Sequence, residues 1–123
     1  MALVDEWVAK AEADVKAASA LQRRRKDPIP DIVCFHRQQC IEKYLKALLV
    51  QHGEIPPRVH DVRQWLRSAA NFDATLSRYL PEMQAIHSYA VLVRYPGTST
   101  TQPDASRSLV IVRRVRRAFR RRL

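Results

Sequence analysis

The chain has 123 residues, 46% of them hydrophobic and 28% charged, with a formal net charge of +10. That length admits one domain with a packed core and no more, and that composition excludes global disorder. No apolar run reaches the roughly 18 residues of a membrane span, and the two glycines and long proline-free stretches favour helix over sheet.

The N-terminus, MALVDEWVAK, carries acids at Asp5 and Glu6 and lacks the basic-then-apolar layout of a signal peptide. A cytoplasmic location is therefore expected. The first helix is predicted from about Val4 to Arg24, with Trp7, Ala11, Ala18 and Leu21 on its apolar stripe. Asp14 falls on that stripe, so its carboxylate needs a cationic or hydrogen-bonding partner. Arg23 to Lys26 would close the helix, favourably placed for its dipole, and Asp27-Pro28-Ile29-Pro30 stops it.

The second helix is expected from Asp31, as N-cap, to His52, with Gly53 at the C′ position. Polar Gln38, Gln39, Glu42 and Lys43 lie among Phe35, Ile41, Leu45, Leu48 and Leu49. A helix of a small bundle tolerates such groups only if they find partners, either in a network within the bundle or across a subunit interface. Lining a nucleotide pocket is the alternative. Cys34 and Cys40 cannot bridge within one helix and read as buried small hydrophobes.

After Pro56-Pro57 the third helix starts at His60-Asp61. Asp61 is the expected cap, Gln64 would close a capping box, and Val62, Trp65, Leu66 and Ala69 face inward. Asp73 caps a short turn through Tyr79, and Pro81 marks the start of a fourth helix with Met83, Ile86, Ala90 and Val93 inside. His87 and Arg94 lie near one face of it. Pro96-Gly97 ends that helix, and residues 97–103, GTSTTQP, read as a polar, flexible loop. Asp104 is expected to cap the last helix, whose inner face is Leu109, Val112, Val115 and Phe119. Arg113, Arg116, Arg117 and Arg120 occupy the opposite side.

The fold class is thus all-α, an up-and-down bundle of four to five helices in a single domain spanning residues 1–123. Residues 104–123 contain eight arginines and one acid, Asp104, and so supply +7 of the net charge. Like charges without interleaved acids repel, which points to a polyanion or an acidic protein as partner. Arginine outnumbers lysine 17 to 5 across the chain, so general arginine enrichment competes with that reading. The four histidines are scattered without close acidic spacing and make no metal site. No cofactor motif is present.

Trp7 to Asp14, Phe35-His36 through Lys46, His60-Asp61-Val62, and Tyr89 followed by Arg94-Tyr95-Pro96 come in an order and spacing that resemble the HEPN domain family. The resemblance covers nearly the whole chain. It implies a four- or five-helix bundle that often forms a homodimer. It also implies nucleotide or RNA binding, with many members acting as ribonuclease toxins encoded beside a minimal nucleotidyltransferase antitoxin. The ribonuclease members carry Arg, then four to six residues, then His. Arg94 matches the Arg, but Ser99, Thr100 and Thr101 stand where the His should fall. A hydroxyl cannot exchange protons near neutral pH as imidazole does. The Tyr two residues beyond that His is missing too.

Arg94 is therefore read as a phosphate-binding group, or as an interface salt bridge to Asp14 or Glu42. Tyr95 is a candidate for stacking on a base or ribose. The resulting expectation is a module that binds RNA or a nucleotide through Arg94, Tyr95, Arg113, Arg116, Arg117 and Arg120 and cuts poorly or not at all. An active ribonuclease with an altered site and an accessory subunit that docks an acidic protein are the alternatives.

Overall fold

A computed structural model describes residues 2–123 as five α-helices and one 3-10 turn. They are α1 (Ala2–Gln22), α2 (Pro30–Gln51), α3 (Val62–Ala70), the 3-10 turn Ala74–Tyr79, α4 (Leu80–Arg94) and α5 (Gln102–Arg120). No strand forms among the described residues. The expected all-α bundle is the one observed.

Helix α2 is the centre. Twelve of its 22 residues are buried, because α1, α3, α4 and α5 all pack against it. That explains why its sequence lacks a clean amphipathic stripe: a helix enclosed on most sides has no single solvent face. Helix α1 runs antiparallel to α2, with Glu12 meeting Tyr44 and Trp7 meeting Lys46. Helix α5 runs antiparallel to α4, with Tyr79 against Phe119 and Arg107 against Tyr89. Helices α2 and α5 are parallel, as the Arg37–Ala105 and Gln51–Arg122 hydrogen bonds require. Tyr44, Leu45, Leu48, Leu66, Met83, Ile86 and Phe119 are among the core's largest fully buried side chains. Each contributes about 1.5–3 kcal/mol through its burial.

Several expected helix ends are rearranged. Helix α1 stops at Gln22, so Arg23 to Lys26 lie beyond its last turn. Ile29, not Asp31, is the N-cap residue of α2, and Pro30 occupies its first position. The Asp31 carboxylate instead accepts from Thr100. Asp61 caps α3 by accepting from the Arg63 backbone N–H, and the same carboxylate takes the Arg63 guanidinium. The expected capping box with Gln64 does not form among the described residues. Thr101, not Asp104, is the N-cap of α5, while Asp104 sits at the third helical position and completes a capping box with it. Asp73 and Pro81 act as expected. Gly53, at φ 70°, follows the His52 C-cap, and Gly97, at φ 83°, turns the chain just after α4. Both need the left-handed region that glycine enters without cost.

Candidate nucleic-acid interface

The motif arginine closes α4. Arg94 is exposed and forms no ion pair among the described residues, and Tyr95 beside it is 62% exposed. Asp14 and Glu42, the carboxylates considered as its partners, are both engaged elsewhere in the chain. The segment after Arg94 is held rather than loose. The Thr98 hydroxyl donates to the Leu92 and Tyr95 carbonyls. Thr100 is buried, and its backbone N–H and hydroxyl both donate to Asp31 Oδ1, at 2.7 and 2.6 Å. Of the three positions at histidine spacing from Arg94, two therefore carry structural duties: Thr100 anchors the loop to α2 and Thr101 caps α5. Only Ser99 remains uncommitted.

The polar residues of α2 separate into two clusters. In the first, Asp14, 7% exposed, takes Lys43 Nζ at 2.6 Å and His36 Nδ1 at 2.9 Å. In the second, Glu42, 2% exposed, is surrounded by Gln38, Gln39, His60 and Lys46. The Lys46 ammonium also lies over the rings of Trp7 and Trp65. The expected polar network is thus present inside the bundle, with Lys43 belonging to Asp14 rather than to Glu42. His36 and His60 complete these clusters. His87 Nδ1 lies 3.5 Å from Asp61. Three of the four histidines therefore meet carboxylates, all of them from distant segments of the chain. No group of His, Cys, Asp or Glu among the described residues is arranged to hold a metal ion. Both cysteines are free and buried, and burial pushes the Cys40 thiol up to about 12.

The arginines of α5 also divide. Arg116 Nε donates to Glu12 Oε2 at 2.7 Å, its Nη2 meets Oε1, and Arg120 Nη1 reaches Oε1 at 3.1 Å. With Tyr44 also donating to it, Glu12 staples α1, α2 and α5 together. The Arg116 hydrogen bonds hold its carboxyl down at about 2, against an ordinary 4.5, with Tyr44 adding to the effect. Arg116 and Arg120 are thus tied to Glu12, while both also line the open face of α5 beside Arg113, Arg117 and Arg121. Arg114 meets Glu82 at 3.2 Å and lies over the Tyr79 ring. Arg113 and Arg117 of α5 and its C-cap Arg121 are exposed, four residues apart, and have no acidic partner among the described residues. Together with Arg78 and Arg114 they line an open groove of about 470 Å³ against the 3-10 turn. Sequence periodicity correctly placed arginines on the outer face. It could not find Glu12, which comes from α1, or Arg78, which comes from an unrelated turn.

The groove and Arg94 are separate. Helix α4 carries Glu82, beside the groove, and Arg94 twelve residues later, a rise of roughly 18 Å. Five arginines dominate the lining of the groove, Val110 is exposed beside them, and Tyr79 is buried beneath Arg114. Guanidinium forks suit phosphate oxygens, and interfaces with nucleic acid are more polar and more basic than those with protein.

This arrangement defines a helical bundle with a basic outer helix and an exposed Arg-Tyr pair at the end of α4. The chain belongs to the HEPN domain family, whose model matches residues 4–122. It is similar to the Methanocaldococcus jannaschii protein named "Putative toxin MJ1304", at 28% identity over 96 residues. That match covers 73% of this chain and spans 61% of the relative's length. Two solved structures share its fold. TT1696 from Thermus thermophilus superposes with a TM-score of 0.85 at 18% identity over all of both chains. ST0689, described as an archaeal HEPN homologue, superposes with a TM-score of 0.73 at 23% identity, covering 95% of this chain and 94% of its own. No described helix is long and apolar enough to cross a membrane.

Proposed function

We propose that this protein is an RNA- or nucleotide-binding HEPN module that holds its ligand without cutting it. It acts as a homodimer beside a minimal nucleotidyltransferase in a toxin–antitoxin-type system. The observation that carries this reading is the state of the ribonuclease motif. Arg94 is exposed and forms no ion pair among the described residues, whereas Thr100 and Thr101 are spent on anchoring the loop and capping α5. A guanidinium in that position binds phosphate. With no imidazole at motif spacing, the proton transfers of strand cleavage lack their usual agent. The relative named as a toxin supports the toxin–antitoxin setting.

The α5 groove supplies the long-range attraction that a polyanion needs, through Arg78, Arg113, Arg117 and Arg121. Five of its seven lining residues are arginines and none is an acid, which favours the repeated phosphates of nucleic acid as its partner. The dimer reading draws on Ile32 and Phe35, each 44% exposed and one turn apart on α2. They lie at the end of the bundle where Asp31 holds the 97–101 loop. The test is retention of transfer RNA on a native gel at several salt concentrations. Wild type is expected to shift the RNA, Arg94→Ala to weaken the shift, and Arg113→Gln/Arg117→Gln to weaken it and flatten its salt dependence. No shift by the wild-type protein at low salt overturns the reading.

A further inference from the structure

Arg37 is the most unusual residue of the core. It is 2% exposed, on the buried side of α2, and no carboxylate pairs with it among the described residues. Its Nη1 alone is used within the chain, donating to the Ala105 carbonyl at 2.8 Å and to Ser108 Oγ at 3.1 Å. A guanidinium has five N–H donors, so the Nε and Nη2 donors are left over. The Arg37 side chain lines a cleft of about 230 Å³ between α1, α2 and α5. Val15, Cys40, Leu109 and Val112 provide its apolar walls, and Arg113 and Arg116 also line it.

A buried cation without a counterion is costly, because no Coulomb attraction offsets its desolvation. Burial accordingly pulls the Arg37 guanidinium below its ordinary value, and nearby Arg113 adds to the effect. No acid is among the residues lining this cleft, and Glu12, the partner of Arg116, is committed to Arg116, Arg120 and Tyr44. Every feature that would relieve Arg37 is supplied by a small anion: negative charge, acceptor oxygens for three N–H groups, and a second guanidinium in Arg113 to meet it from α5.

We propose that this cleft is a binding site for a small phosphate-type oxyanion, anchored by Arg37 in the core and covered by Arg113. The volume decides the ligand's size. At about 230 Å³ it falls below the roughly 300–1,000 Å³ of sites that enclose whole drug-sized ligands. It therefore takes inorganic phosphate or the phosphoryl end of a larger molecule, not an entire nucleotide. The site is independent of Arg94 and does not rest on RNA binding.

The test compares thermal melts and calorimetric titrations with inorganic phosphate and with AMP, at ionic strength held constant with chloride. Wild type is expected to show a saturable rise in Tm with phosphate. Arg37→Met, which keeps the stem's bulk and removes the charge, is expected to melt no lower than wild type without phosphate. It should lose the response, with affinity reduced roughly 10- to 100-fold as for loss of a charged hydrogen-bonding anchor. Arg113→Gln, at an exposed position, keeps the fold and weakens binding less. Tighter binding of AMP than of phosphate identifies a nucleotide phosphoryl group as the source, and the reverse identifies free phosphate. Either supports the site if Arg37→Met abolishes it. Absence of any saturable response in wild type overturns the proposal, as does an equal response in Arg37→Met. Should Arg37→Met not fold, an Arg113→Gln titration identical to wild type overturns it.

Discussion

Glu12 joins three helices through one carboxylate, and its removal is the sharpest single-residue test of the packing scheme. Glu12→Gln leaves Arg116, Arg120 and Tyr44 without their charged acceptor. Loss of hydrogen bonds to a charged group costs about 1.5–3 kcal/mol, so chemical denaturation should show a midpoint lowered by about that stability at unchanged slope. The same residue sets a pH dependence. Its folded-state value of about 2 lies below its ordinary 4.5, so its stabilisation is fully present above pH 4.5 and is lost as pH falls through that range. Asp61, held down to about 2 chiefly by Arg63, acts in the same direction from 3.8. Thermal melts should therefore fall between about pH 4.5 and pH 2, with a shallower fall in Glu12→Gln. A wild-type melt that stays flat over that range contradicts this account. The sequence announced that Asp14 needed a partner, because an acid on an apolar stripe is conspicuous. Glu12 carried no such signal: it lies beside the stripe, where exposed acids are ordinary. Arg37 was equally silent, since an arginine on a helix reads as solvated until the neighbours of α2 enclose it.

At the scale of elements, the loop from Tyr95 to Thr101 is the segment whose state matters most. Read as sequence, GTSTTQP is polar and flexible. The structure fastens it at Thr98 and Thr100, and the fastening residue on α2 is Asp31, which sequence logic assigned to capping its own helix. Pro30 allows this exchange. With proline at the first position the N-terminus of α2 has one fewer N–H to satisfy, so the Asp31 carboxylate is released to a partner 69 residues away. Asp31→Ala should cost about 1–3 kcal/mol by leaving the donors of buried Thr100 unsatisfied. It should also raise hydrogen exchange at Thr100 selectively, with α3 unaffected. Uniform exchange changes across the bundle would contradict a local anchor. Helix identities, inner faces and the Asp61 and Asp73 caps were legible because they depend on neighbours within one turn. Choices between two local caps, as at Thr101 and Asp104, were not, since both chemistries are present in the sequence and geometry selects between them.

Over the whole molecule the charge is concentrated but not evenly available. Of the outer arginines of α5, some are tied to Glu12 and Glu82, while Arg113, Arg117 and Arg121 join Arg78 around one groove. Binding to a polyanion should therefore weaken steeply with salt, and Arg113→Gln/Arg117→Gln should reduce the slope of log K against log salt by about 2. Arg120→Gln should leave that slope nearly unchanged. On the same scale, Phe35→Glu should convert the proposed homodimer to a monomer in light scattering, without altering the circular dichroism of the bundle.

The most direct test of a module that binds without cutting is incubation of the purified protein with transfer RNA, read at once on denaturing and native gels. The account predicts intact RNA on the first and a retained complex on the second, weakened in Arg94→Ala. Cleavage that disappears in Arg94→Ala would contradict it and make this chain a ribonuclease whose proton acceptor is not a histidine at motif spacing.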